Sequence, residues 1–169
     1  MSQIISNQLY ILSRKLPLSA KTIFTSVLFA SDQQFKQLIV KSPIQVYLVD
    51  GEWVRDTKEV QFIGGGHHLW SPVIPNNEIW IENNHHARDE SEILIHELIE
   101  FHLMKHLHWT YDKAHDFANS KENLIRHGHD PIKTLSDFVE DQLSKEQQKE
   151  TILSNMISVY QQFVSNVKP

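Results

Sequence analysis

The chain of 169 residues contains no cysteine. Disulfide staples, cysteine-type zinc sites and thiol nucleophiles are therefore excluded, and a reducing compartment is compatible with the composition. No stretch approaches the roughly 18 consecutive apolar residues of a membrane span. Residues 1–18 lack a basic segment followed by an apolar core, so no signal peptide is expected and the reading is a cytoplasmic protein with no membrane partner. Basic excess is missing as well: 16 Lys and Arg stand against 21 Asp and Glu, a net charge of −5, which argues against nucleic acid as a partner. No internal repeat, low-complexity linker or domain boundary is visible. With 40% hydrophobic and 22% charged residues, the chain reads as one globular domain over residues 1–169 with a sizeable core.

What is present is histidine, eleven in all. One of them falls in the run Ile93-Leu94-Ile95-His96-Glu97-Leu98-Ile99-Glu100-Phe101-His102-Leu103-Met104. At about 100° per residue His96 and Glu100 lie about 40° apart on a helix, and apolar residues cover most of the remaining circumference. An ordinary surface helix would place such groups on a polar face, but this run has none. An imidazole and two carboxylates buried in an apolar helix are costly unless paired. A divalent metal with its water would pair all three.

The flanking sequence indicates α+β order. Ser19–Ala30 and Asp32–Lys41 read as helices, the latter ending before Pro43. Ile44–Val49 alternates and is β-rich; Asp50-Gly51 signals a hairpin with Glu52–Arg55 returning, and Glu59–Ile63 is a third strand candidate. Gly64-Gly65-Gly66 breaks the pattern. It is no phosphate loop, because the Lys-Ser/Thr and the following helix start are missing. Glu78–Glu82 alternates as a strand. Asp89 is the expected N-cap of the His96 helix, which runs to about Leu107; a second helix spans Tyr111–Arg126 and stops near Gly128 and Pro131. Residues 131–167 read as one or two amphipathic helices whose apolar stripe (Ile152, Met156, Val159, Phe163) is core. The core of the domain is thus about residues 44–128, with C-terminal helices over 131–169.

The second helix carries Tyr111, Ala114, His115, Ala118, Glu122 and Ile125 on one face. The two alanines let this face approach another helix closely. His115 and Glu122 are both candidates for a third metal ligand. Two turns, about 10 Å along the axis, separate them, so one ion is not held by both. His115 is preferred because it lies nearer the turn, with Asn119 or Glu122 supplying supporting hydrogen bonds. The other histidines read more plainly: His67-His68 could bind metal or line a cleft, with a flexible loop the favoured reading, His102 and His106 read as a polar or interfacial edge, and His127 and His129 as partners of helix-end carbonyls.

His96-Glu97-Leu98-Ile99-Glu100 is a one-residue variant of the His-Glu-x-x-His helix motif, and with Tyr111-x-x-Ala114-His115 it resembles the zincin superfamily of zinc metallopeptidases, most of all its gluzincin-type layout. The resemblance covers roughly Glu78–Arg126 and extends to small uncharacterised phage and prokaryotic proteins of zincin-like type. It implies a zincin-like α+β fold, a small antiparallel or mixed sheet on the motif helix, with one Zn2+ held by His96, Glu100 and His115. It also implies hydrolysis of a peptide or related amide bond, with a peptide or protein as substrate or partner. Glu97 would be the general base and Tyr111 a stabiliser of the oxyanion. The strand at Ile79–Ile81 would pair with an extended substrate. Iron or manganese also suits this ligand set. The alternative is a non-catalytic metal-binding or protein-interaction module on the same scaffold.

Overall fold

The computed structural model describes residues 35–83, 86–143 and 146–167. Ser19–Ala30 lies outside them. In chain order the elements are β1 (Lys36–Val40), β2 (Gln45–Val49), α1 (Gly51–Thr57), β3 (Gly65–His67), β4 (Glu78–Glu82), α2 (Ala87–Leu107), α3 (Tyr111–Arg126), α4 (Pro131–Gln142) and α5 (Glu146–Asn166). This is an α+β architecture with a mixed four-stranded sheet in the order β1-β2-β4-β3. The β2/β4 pair is parallel; β1/β2 and β3/β4 are antiparallel. Among the described residues no helix is long and apolar enough to cross a membrane.

Central β4 divides two clusters of buried side chains. Side chains alternate across a strand, so Ile79 and Ile81 join the main core under α2 while Trp80 joins Phe35, Val49, Val54, Phe62 and Ile74 on the other side. The end residues of β4 are buried carboxylates paired with cations: Lys36 Nζ lies 2.8 Å from Glu78 Oε2, and Arg55 forks onto both oxygens of Glu82 at 2.8 Å. The all-round apolar character of α2 is explained by its place. Every residue from Leu94 to Leu103 is buried, between the sheet and α3, α4 and α5. The C-terminal stripe of Ile152, Met156, Val159 and Phe163 closes the same core. Truncating one of these central side chains to alanine costs about 2–5 kcal/mol.

Several local expectations are corrected. Lys36–Val40 is a strand, not part of a helix over Asp32–Lys41. Its pairing with β2, reinforced by Asn166 donating to the Ile39 carbonyl at 3.0 Å, outweighs local helix propensity. Asp50-Gly51 opens a helix instead of a hairpin: the Asp50 carboxylate caps α1 by accepting from the Trp53 N–H at 3.0 Å, so Glu52–Arg55 is helical. A Cβ at Gly51 would collide with the Glu82 side chain, so only glycine lets α1 start there. Glu59–Ile63 is a turn region in which Val60 and Ile63 stay exposed; the third strand is instead Gly65–His67, after a turn at Gly64 with φ 74°. The N-cap of α2 is His86, three residues before Asp89.

Candidate metal centre

At His108 the chain takes a left-handed conformation, φ 53°, and α3 returns along α2. The antiparallel pairing is read from Glu100 facing His115, His96 facing Glu122, and Glu92 facing Arg126. Ala114 and Ala118 are fully buried in this contact, and their small size permits it. The three candidate ligands converge. His115 Nδ1 is 2.9 Å from Glu100 Oε2 and 3.1 Å from His96 Nε2, and His96 Nε2 is 3.3 Å from Glu100 Oε2. Ligand atoms at about 2.0–2.2 Å from a tetrahedral ion are about 3.3–3.6 Å apart. Adjacent ligands at 2.0–2.1 Å from an octahedral ion are about 2.8–3.0 Å apart. The edges of 2.9, 3.1 and 3.3 Å run from octahedral spacing to the lower end of tetrahedral spacing, so a tetrahedral ion would need the groups to move apart by a few tenths of an ångström; these three groups together could hold a metal.

Glu122 takes a supporting place. Its Oε2 accepts from His96 Nδ1 at 2.9 Å, on the ring edge away from the three converging atoms. This fixes the tautomer that leaves the His96 Nε2 lone pair free for an ion, the carboxylate–histidine pairing common behind metal ligands. Arg126 Nη2 holds the other Glu122 oxygen at 2.7 Å. The hydrogen bond from His96 lowers the Glu122 carboxyl below its ordinary range and keeps it an acceptor. Asn119 lines the cleft beside these groups.

The electrostatics call for a cation. Burial alone would push the His96 imidazole down, but hydrogen bonding to Glu100 and Glu122 and the charge of Glu97 overcome it and raise the ring to about 10. Burial would raise Glu100, yet contacts with His67, His96 and His115 take it down to about 2. The carboxylates therefore keep positive charge between them, as a proton on His96 or as a metal ion in its place, and metal binding would release that proton. Glu97 behaves oppositely: burial, with repulsion from Glu100 and Glu122 opposing the pull of His96, raises it to about 8. Without an ion it therefore keeps its proton at neutral pH, and a cation beside it would draw it toward the carboxylate form.

These groups open into a cleft of about 430 Å3 walled by Gly64–Gly66, Trp70, Ile93 and Tyr111 as well as by the cluster. The Tyr111 ring stacks on His115 with centroids 5.2 Å apart, and burial with the nearby Glu100 and Glu97 charges raises its phenol to about 12. It therefore stays a hydrogen donor. β4 cannot offer an edge to a substrate, because β2 and β3 occupy both of its sides; the edge strand beside the cleft is β3.

The sequence favours a flexible loop for His67 over a place lining the cleft or binding metal. His67 is instead fully buried in β3, with Nε2 3.0 Å from Glu100 Oε1. Only the preceding glycines gave a signal: a Cβ at Gly65 would lie 2.8 Å from Glu97 Oε1 and 2.8 Å from Ile93 Cγ2, so the glycine lets β3 approach α2. His102 is likewise buried and not a polar edge. His127 keeps its expected place, its Nδ1 donating to the Asn123 carbonyl at 2.7 Å. Comparison of the chain with protein-family models, curated proteins and solved structures finds no match.

Proposed function

We propose that the protein is a metal-dependent hydrolase of peptide or related amide bonds, on a zincin-like scaffold, with one divalent ion held by His96, Glu100 and His115. One observation carries this reading: three lone-pair atoms lie 2.9–3.3 Å from one another at the wall of an open cleft. Zinc is the first candidate, and iron or manganese suits the same two-histidine, one-carboxylate set. Bound there, such an ion supplies Lewis acidity to a carbonyl oxygen and to water. Glu97 accepts the proton of the attacking water on its carboxylate and returns it to the leaving nitrogen. The Tyr111 hydroxyl donates to the developing oxyanion. An extended substrate lies along the free edge of β3.

The test uses protein purified without a histidine tag. Elemental analysis should find one metal ion per chain, and a peptide-library digest should yield cleavage products. Glu97→Gln should keep the metal and the fold and lose about 10²- to 10⁴-fold in rate. Metal content with no cleavage across the library would favour the non-catalytic binding module.

A further inference from the structure

We propose that His67 is a positioning residue for the metal centre: its buried Nε2–H faces Glu100 Oε1 and engages it when an ion is bound, so that Glu100 offers only Oε2 to the ion. The inference rests on the metal-binding reading above. The His67 side chain is completely buried, at 0% exposure. Its Nδ1 accepts the Leu69 backbone N–H at 3.3 Å. That occupies the Nδ1 lone pair and puts the ring hydrogen of the neutral imidazole on Nε2. Nε2 is 3.0 Å from Glu100 Oε1, but its N–H is aimed too far off that line to make a hydrogen bond, so Nε2 is a buried donor facing a carboxylate with no hydrogen-bond partner among the described residues. The Phe101 ring stands edge-on to His67 at 5.5 Å between centroids.

Glu100 thereby has one oxygen for each neighbour. Oε1 faces His67, and Oε2 faces His96 and His115. A carboxylate without that donor turns freely, offering either oxygen or both to an ion. With it, one oxygen is committed and part of the negative charge is offset, so a carboxylate serves at a position next to a second buried carboxylate. A different use of the same atoms is a second ion bound by His67, Glu97 and Glu100, whose ligand atoms also lie within 4.8 Å of one another. That needs the Nε2 lone pair, and the Leu69 N–H leaves Nε2 protonated instead.

Two substitutions separate these roles, because each amide mimics one edge of the ring. His67→Asn places an acceptor near the Nδ1 position and removes the group facing Glu100. His67→Gln places an N–H2 near the Nε2 position. Wild type and both variants are measured for zinc affinity by competition with a chromophoric chelator, for metal per chain by elemental analysis, and for the visible spectrum of the Co2+-loaded form. The expected result is one ion per chain in all three, zinc affinity lower by about 10- to 100-fold in His67→Asn, a changed Co2+ spectrum in that variant, and near wild-type behaviour in His67→Gln. If His67→Asn matches wild type in affinity and spectrum, or if His67→Gln is as weak as His67→Asn, the positioning role is overturned. Two ions in wild type and one in both variants would make His67 a ligand. If His67→Asn does not fold, His67→Gln decides, since retained affinity supports a donor and lost affinity overturns it. A wild type that binds no metal overturns the reading of the centre itself, and the role of His67 with it.

Discussion

His96 and His102 sit on the same helix at nearly equal burial, 5% and 4% exposed, and their surroundings make them opposites. His96 is surrounded by Glu100, Glu122, Glu97 and His115, and the acidic company raises its ring to about 10. His102 lies parallel to His106, with ring centroids 5.3 Å apart, near Lys105; burial first, then these neighbours and His67, push it down to about 3. Neither nitrogen of His102 has a hydrogen-bond partner among the described residues. A buried imidazole on an apolar helix is therefore not in itself a site. It becomes one where acceptors converge on the same side and a second element brings another ligand.

The largest test of this contrast is metal content. His96→Ala and His115→Ala should each abolish metal binding, whereas His102→Ala should retain one ion per chain; elemental analysis reads the difference. If the ion binds only the folded state, chelation should lower the melting temperature of wild type and of the His102 variant and leave the other two unmoved. An ion at 100 times its Kd contributes about 2.7 kcal/mol, which is roughly 5–11 °C for a domain of this size. Equal metal content in all three variants would dissolve the contrast.

A smaller effect is expected from Glu122, which touches His96 from behind. Glu122→Ala should weaken zinc by about 10- to 100-fold, measured by chelator competition, without removing the ion at saturation. Complete loss would promote Glu122 to a ligand. Gly65→Ala tests the same helix from the sheet side: its Cβ would meet Glu97 Oε1 and Ile93 Cγ2 at 2.8 Å. Glu97 must shift, so cleavage rate should fall while metal affinity holds.

The smallest effect should be His102→Leu. Deleting two buried nitrogens without partners removes a desolvation cost, so stability in urea should rise by on the order of 1 kcal/mol or stay level. A loss of several kcal/mol would show that His102 makes an interaction its contacts do not reveal.

Much of the helical half was legible from local pattern. The alanine face of the next helix and the stripe through Phe163 follow a 3.6-residue period, the apolar run around His96 is too long for a strand, and each forms a helix where expected. The sheet was legible in its middle, at Gln45–Val49 and Glu78–Glu82, and not at its edges. β1 and β3 exist through pairing with distant partners: Lys36–Val40 lacks a strand signal strong enough to outweigh a helix reading, and Gly65–His67 contains two glycines, which ordinarily argue against strand. Asp50-Gly51 is equally good hairpin and helix-cap chemistry; the structure takes the cap, with Gly51 close against the Glu82 side chain.

The sequence by itself determined that His96, Glu97 and Glu100 would share an apolar helix, with His115 on the close-packing face of the next. Spacing along one helix is a local geometric property, so those residues can be placed without knowing the fold. Tertiary structure alone decided that Glu122 rather than Asn119 would bond His96, that β3 and not β4 would border the cleft, that His67 would reach Glu100, and that His102 would be left without a hydrogen-bond partner among the described residues. Each of these depends on which elements approach one another. Such contacts are set by the packing of the whole core, where side chains far apart in sequence compete for the same volume.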